Sequence, residues 1–136
     1  MTRVFIDTSA ILALLVPTDV AHERASRVFE RLRAGECLLM TTSYTLVETY
    51  ALLSRRFGRQ AVASFRSAFA PLLEIFWVDE ELHERGLDLL FQRPSGVSLV
   101  DAVSFVCIRN ARVHEVFAFD RHFEQEGFPI SPVPAR

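Results

Sequence analysis

Four acidic residues stand apart from the other carboxylates of this chain. Asp7 closes the apolar run VFI in "RVFIDTSAILALL", and Asp120 follows the apolar run VFAF. Glu48 lies in "TLVETYALL" and Asp101 in "SLVDAVSFV". On a helix, neighbours three and four positions away share a face. For Glu48 these are Tyr44, Thr45, Ala51 and Leu52; for Asp101 they are Val97, Ser98, Ser104 and Phe105. Neither acid has a cation there. Other acids do: Glu23 has Arg27, Glu81 has Arg85, and Glu124 and Glu126 lie in a polar stretch. A buried, unpaired carboxylate costs several kcal/mol or shifts its pKa until it neutralises. Carboxylates that converge without a lysine or arginine suit hard divalent cations, Mg²⁺ or Mn²⁺, which take oxygen ligands.

Each acid also has a purely structural reading. Thr45-x-x-Glu48 and Ser98-x-x-Asp101 both match the capping box, in which the acid bonds the first amides of a helix. Asp7 can cap the helix after it, and Asp120 can cap "RHFEQ" or pair with Arg121. Four separate explanations are then needed, two of them at strand ends, where one shared site needs a single explanation.

The elements that carry these residues alternate. Arg3–Ile6 reads as a strand and Ser9–Val16 as a short helix stopped by Pro17. Thr18 or Asp19 is placed to cap a helix over Val20–Ala34, with Gly35 at its end. "CLLMTT" is a buried strand, and "SYTLVETYALLSRRFG" a helix closed by Gly58. A helix over Gln60–Leu73 follows, with Pro71 able to end it early. "EIFWVD" is a strand and "EELHERGLDLLFQR" a helix that stops before Pro94. "SLVDAVSFVCIRNARV" is a helix with Ser98 as N-cap, and "EVFAF" a strand. "RHFEQEG" makes one or two helical turns, and "FPISPV" is an edge strand limited by its prolines. Short apolar strands between helices predict an α/β fold: three layers, with a central, mostly parallel sheet of four to five strands and helices on both faces. In such sheets ligands bind at the carboxyl ends of the strands, where Asp7 and Asp120 fall.

The bulk properties fit one domain over residues 1–136. Half the residues are hydrophobic, which fills a core, and the formal net charge of −2 offers no global positive field for nucleic acid. No apolar stretch reaches the ~18 residues of a membrane span, and the N-terminus has no signal-peptide pattern. A cytoplasmic protein without membrane attachment is expected. Cys37 and Cys107 lie in apolar runs and read as free buried thiols. The histidines, His22, His83, His114 and His122, occupy polar or boundary positions and read as solvated; only His122 is beside an acidic motif.

All fifteen basic residues are arginine. The absence of lysine separates the metal–carboxylate chemistries. A phospho-receiver domain needs paired acids after its first strand and a late lysine, and a haloacid-dehalogenase-type phosphatase needs Asp-x-Asp and a lysine. Asp7-Thr8-Ser9 supplies neither pattern. A metal-dependent nuclease needs only carboxylates, a cation and water. Arg55, Arg56 and Arg59 cluster at a helix end, where cations offset the dipole. They can also meet phosphates, as can Arg109, Arg112 and Arg121.

"VFIDTSAILALL", "TLVETYALL", "GVSLVDAVSFVCIRNARV" and "EVFAFDRHFEQEGF" resemble, in order, the four acidic motifs of PIN-domain nucleases. From Arg3 to about Pro132 the chain is similar to the VapC-type toxins of bacterial and archaeal toxin–antitoxin pairs. The resemblance implies that Asp7, Glu48, Asp101 and Asp120 are the metal-binding and catalytic acids. It implies that Thr8 or Ser9 supports the first of them, and Ser98 the third. Ala118 departs from the pattern: many relatives carry Thr or Ser there, so a hydrogen bond that tunes metal affinity is missing. The resemblance further implies a Mg²⁺- or Mn²⁺-dependent endoribonuclease, a homodimer, and a cognate antitoxin whose C-terminal segment blocks the site. A housekeeping RNA-processing nuclease and a PIN-like module that binds RNA or protein without cutting share the same motifs.

Overall fold

The computed structural model describes residues 1–134. Five strands, β1 (Thr2–Ile6), β2 (Cys37–Thr42), β3 (Glu74–Phe76), β4 (Glu115–Phe117) and β5 (Ile130–Ser131), form one sheet in the order β3-β2-β1-β4-β5. Every pairing is parallel. The helices are α1 (Thr8–Leu15), α2 (His22–Ala34), α3 (Ser43–Phe57), α4 (Arg59–Ser64), α5 (Glu80–Leu90), α6 (Leu99–Asn110) and α7 (Arg121–Gln125). Chain progression from β1 through β2 to β3 runs to one side of the sheet, and β4 and β5 lie on the other. The order therefore reverses between β1 and β4, which is the crevice where open α/β sheets bind ligands. Asp7 follows β1 and Asp120 lies just beyond β4.

Alternation along β1 fills two cores. Val4 and Ile6 pack with α1, α2 and the Leu53–Phe65–Phe69 group, whereas Phe5 faces Ala102, Phe105, Ile108 and Phe123. Both faces are covered, so the strands read as unbroken apolar runs. Among the described residues, no helix is long and apolar enough to cross a membrane.

Several elements end short of the sequence expectation, as β4, α5 and α6 do, and three differ for a visible physical reason. Helix α2 starts at His22, because the Asp19 carboxylate accepts a hydrogen bond from Ala21 N and closes a turn first. The helix expected over residues 60–73 changes pitch. It is α-helical to Ser64, widens to a π turn over Phe65–Phe69 and tightens over Ala70–Leu72. The π turn ends with Ala70 N–H donating to Phe65 O, and Phe65 and Phe69 stack with ring centroids 5.7 Å apart. Pro71, lacking an N–H, sits in the tight final turn. Strand β3 stops at Phe76, and Val78 N–H donates to Ser43 Oγ instead of continuing the ladder.

Helix α6 is held against α5 at one close approach. A Cβ on Gly86 would lie 2.4 Å from Val103 Cγ2 and 3.2 Å from Val103 Cα. The second contact is backbone, so rotamer change alone cannot relieve it. Gly86→Ala forces the two helices apart, and overpacking of this kind costs about 1–3 kcal/mol. A thermal melt of Gly86→Ala is expected to show a midpoint several degrees below that of the wild type. An unchanged midpoint would show that α6 is not held by this contact.

Candidate active site

Three of the four acids stand at helix N-termini that face the strand ends. Asp7 is the N-cap of α1: its Oδ2 accepts from Ser9 N at 3.2 Å and from Ser9 Oγ at 2.8 Å. Asp101 is the third residue of α6 and completes a capping box. Its Oδ2 accepts from Ser98 N at 3.4 Å, while Asp101 N donates to Ser98 Oγ at 3.1 Å. Asp120 caps α7 and accepts from His122 N at 2.9 Å. The capping explanations therefore hold for these three, and they do not compete with a shared site. The same amides that start each helix aim its carboxylate at one place. The explanation fails for Glu48. Helix α3 is capped by Thr42, whose Oγ1 accepts from Thr45 N, so Glu48 lies in the second turn.

Asp101 and Asp120 couple the cluster: their charges act on both Asp7 and Glu48. Asp7 is 3% exposed, and its pKa is pushed up to about 7. Burial is the main cause, and the charges of Asp101 and Asp120 add to it, against the hydrogen bonds from Ser9. Glu48 is half-buried and also raised, by burial and by Asp101 and Asp120; the Thr8 hydroxyl beside it pulls the other way. Asp101 is raised by burial and by Asp120, with Ser98 and His122 opposing. Among the described residues, no arginine is paired with any of the four; the arginine ion pairs are Arg31–Glu115, Arg93–Glu126 and Arg109–Glu126. Clustered oxygen donors with no arginine counter-charge fit a hard divalent cation.

Hydroxyls organise the cluster. Ser9 Oγ donates to Asp7 and accepts from Phe119 N at 3.0 Å and Asp120 N at 3.3 Å, so it joins the ends of β1 and β4. Of the two residues expected to support Asp7, Ser9 makes the contact. Thr8 turns the other way, with Oγ1 3.2 Å from Thr49 Oγ1. Ala118 is 2% exposed and packs its methyl in the core, and the tie to the Asp120 backbone comes from Ser9.

The histidines are not simply solvated. His22 bonds Ala13 O, His83 bonds the Tyr44 hydroxyl, and His114 Nδ1 accepts from Arg3 N. His122 enters the site: Nδ1 lies 3.3 Å from Asp101 Oδ2 and 3.1 Å from Asp120 Oδ1. The sequence held a signal for it. A His two residues after a helix-capping Asp donates its backbone N–H to that carboxylate, which brings its ring alongside.

The arginines separate into groups. Arg121 is exposed beside Asp120 at the start of α7. Arg55 and Arg56 are exposed in the last turn of α3, and Arg55, seven residues after Glu48, is on nearly the same helix face. Arg59, also exposed, opens α4. Arg109 is bonded to Glu126 in the last turn of α6, about 12 Å along the axis from Asp101. Arg112 follows that helix end, where its neighbour Ala111 O is bonded by Arg3 near the start of β1. The structure does not bring Arg109 or Arg112 to the carboxylates.

A PIN-domain family model matches residues 4–128. The chain belongs to the PIN-domain family. This PIN domain is 32% identical over 127 residues to the 23S rRNA-specific endonuclease VapC20 of Mycobacterium tuberculosis, covering 92% of this chain and 95% of that one. It is similar to the crystal structure of VapC20, described as a Sarcin-Ricin loop cleaving toxin, with a TM-score of 0.80 and 29% identity over 92% of this chain and 95% of that one. A toxin–antitoxin complex from Klebsiella pneumoniae shares the fold at a TM-score of 0.72 and 16% identity, covering 97% of this chain and 99% of that one.

The Asp7 shift sets a pH dependence. Its folded pKa of about 7 lies above its ordinary value of 3.8, so the folded protein binds more protons than the unfolded chain between these values. Stability then falls as pH rises through that window and levels off above it. In EDTA, the melting midpoint of Asp7→Asn relative to wild type is expected to rise from pH 4 to pH 8, a span worth on the order of a few kcal/mol. A difference that stays flat across this range would show that Asp7 carries no such charge cost.

Proposed function

We propose that this PIN domain is a metal-dependent endoribonuclease and the toxin of a toxin–antitoxin pair. The observation that carries the reading is the buried carboxylate of Asp7 at the sheet's switch point, its pKa held up by burial and by the charges of Asp101 and Asp120, which also raise Glu48. The relationship to VapC20 supplies the substrate class, RNA, with ribosomal RNA the first substrate to test.

Asp7, Glu48, Asp101 and Asp120 would hold the cation, Mg²⁺ or Mn²⁺. When bound, the cation polarises the phosphodiester and lowers the pKa of a water molecule. The residues of the chain do the rest. Ser9 fixes Asp7 and the Asp120 backbone as one unit. Asp120, with a third of its side chain exposed, is more open to substrate than Asp7 or Asp101. Glu48, with its raised pKa, would take the proton released as water attacks phosphorus and pass it to the oxygen that leaves as the other P–O bond breaks. Arg121, Arg55 and Arg56 meet the flanking phosphates. Thr8 and Ser98 hold Glu48 and Asp101 in place. The protein works in the cytoplasm, where a cognate antitoxin covers the site.

Asp7→Asn and Asp120→Asn keep side-chain volume and remove a charge from the cluster. Each is expected to lower Mn²⁺-dependent RNA cleavage at least about a hundredfold, with EDTA abolishing it in the wild type. Changes at Glu23 and Glu81 serve as controls and leave activity within a few-fold. Near-normal cleavage by either Asn variant would overturn the site.

Val47, Phe57 and Trp77 are 64%, 51% and 74% exposed, apolar surface that a second copy of the chain would cover. Light scattering at micromolar concentration is expected to give a dimer of the 15.5 kDa chain, and particles of 15.5 kDa alone would contradict it.

A further inference from the structure

We propose that His122 is a nitrogen ligand of the cation held by Asp101 and Asp120, and that it makes this site select Mn²⁺ over Mg²⁺. The inference rests on the reading of the carboxylates as a metal site and goes beyond an all-carboxylate ligand set.

The geometry is that of a partly built coordination shell. One ligand atom each from Asp101, Asp120 and His122 lie within 4.8 Å of one another. Nδ1 is 3.3 Å from Asp101 Oδ2 and 3.1 Å from Asp120 Oδ1. Adjacent ligands of an octahedral cation with bonds of about 2.1 Å are about 3 Å apart. The two nitrogen–oxygen distances already match that spacing. In the tautomer with its proton on Nε2, the Nδ1 lone pair is free to point into the space the two oxygens share.

Two contacts hold the ring there. His122 N donates to Asp120 Oδ1 at 2.9 Å, which fixes the residue relative to one carboxylate. The far edge of the ring lies against Gly96, where a Cβ would be 3.2 Å from Nε2 and 3.6 Å from Cε1. Any side chain at position 96 presses on the ring edge opposite the acids. The ring is thus confined between a backbone and two carboxylates, with a quarter of its side chain exposed.

The chemistry favours the assignment. Four carboxylates around one cation repel one another, and a neutral imidazole adds a ligand without adding charge. Mg²⁺ takes oxygen ligands and rarely gives up its waters, whereas imidazole suits first-row transition ions. A mixed nitrogen–oxygen shell therefore shifts selectivity toward Mn²⁺.

The test uses the full chain loaded with Mn²⁺ and pulsed electron paramagnetic resonance, which detects ¹⁴N directly bonded to the ion. The wild type is expected to show ¹⁴N coupling, and His122→Ala to lose it. In calorimetric titrations, His122→Ala is expected to weaken Mn²⁺ binding about tenfold or more and Mg²⁺ binding by less than about threefold. The wild-type spectrum decides the ligation even if the variant does not fold. Mn²⁺ bound by the wild type and lost in Asp120→Asn, with no ¹⁴N coupling, overturns the ligand assignment and leaves the carboxylate site standing. Equal losses for both ions without coupling overturn it too, leaving His122 as a support for the acids. A wild type that binds no Mn²⁺ overturns both readings.

Discussion

Like charges held together without an arginine counter-charge are the constraint on which this structure turns. Asp101 and Asp120 each raise the cost of ionising other acids in the cluster, and the arginine ion pairs among the described residues go elsewhere. A protein selected for stability alone would spread these acids or pair them. Here three of them are capped by helix N-termini, whose unsatisfied amides favour negative charge. The caps offset part of the repulsion and point the carboxylates inward. They leave Asp7 with a pKa near neutrality, a sign that the offset is incomplete.

The rest of the fold serves that placement. Pairing of β1 with β4 sets the switch point, and the Ser9 hydroxyl ties the two strand ends across it. Helix α6 carries Asp101 at its start and is pressed onto the sheet by α5, with Gly86 permitting the close approach. Helix α3 presents Glu48 from its second turn because Thr42, at the end of β2, caps it. Each acid thus comes from a different helix start, three of them following strands and Asp101 following helix α5, and a shift in any one element loosens the whole set. Trading stability for function in this way is expected where charges are clustered for chemistry.

Much of this was legible in the sequence. Asp7 and Asp120 end apolar runs too short and too uninterrupted to be anything but buried strands, and Glu48 and Asp101 lack a cation on their own helix faces. Other parts depended on contacts between distant segments. Capping and clustering looked like rival explanations for Asp101 because one sequence pattern serves both, and only the meeting of α6 with the β4 end shows that one carboxylate does the two jobs. His122 looked solvated because its role needs Asp120 to cap α7 and Gly96 to back its ring. Arg109 looked available because Glu126, its partner, lies in a different helix-end turn. The pitch change at Phe65 was not legible because Phe65 and Phe69 pack against Tyr50 and Phe29 from other helices.

The claim that these carboxylates are gathered for a cation is tested most directly by thermal melts at fixed pH with increasing Mn²⁺. A ligand that binds only the native state raises its stability by RT ln(1 + [L]/Kd). The wild-type midpoint is predicted to climb steadily with Mn²⁺ concentration, and that of Asp7→Asn to stay nearly flat from a higher starting value in EDTA at pH 8. A wild-type midpoint that does not move, or moves equally in both proteins, would contradict it.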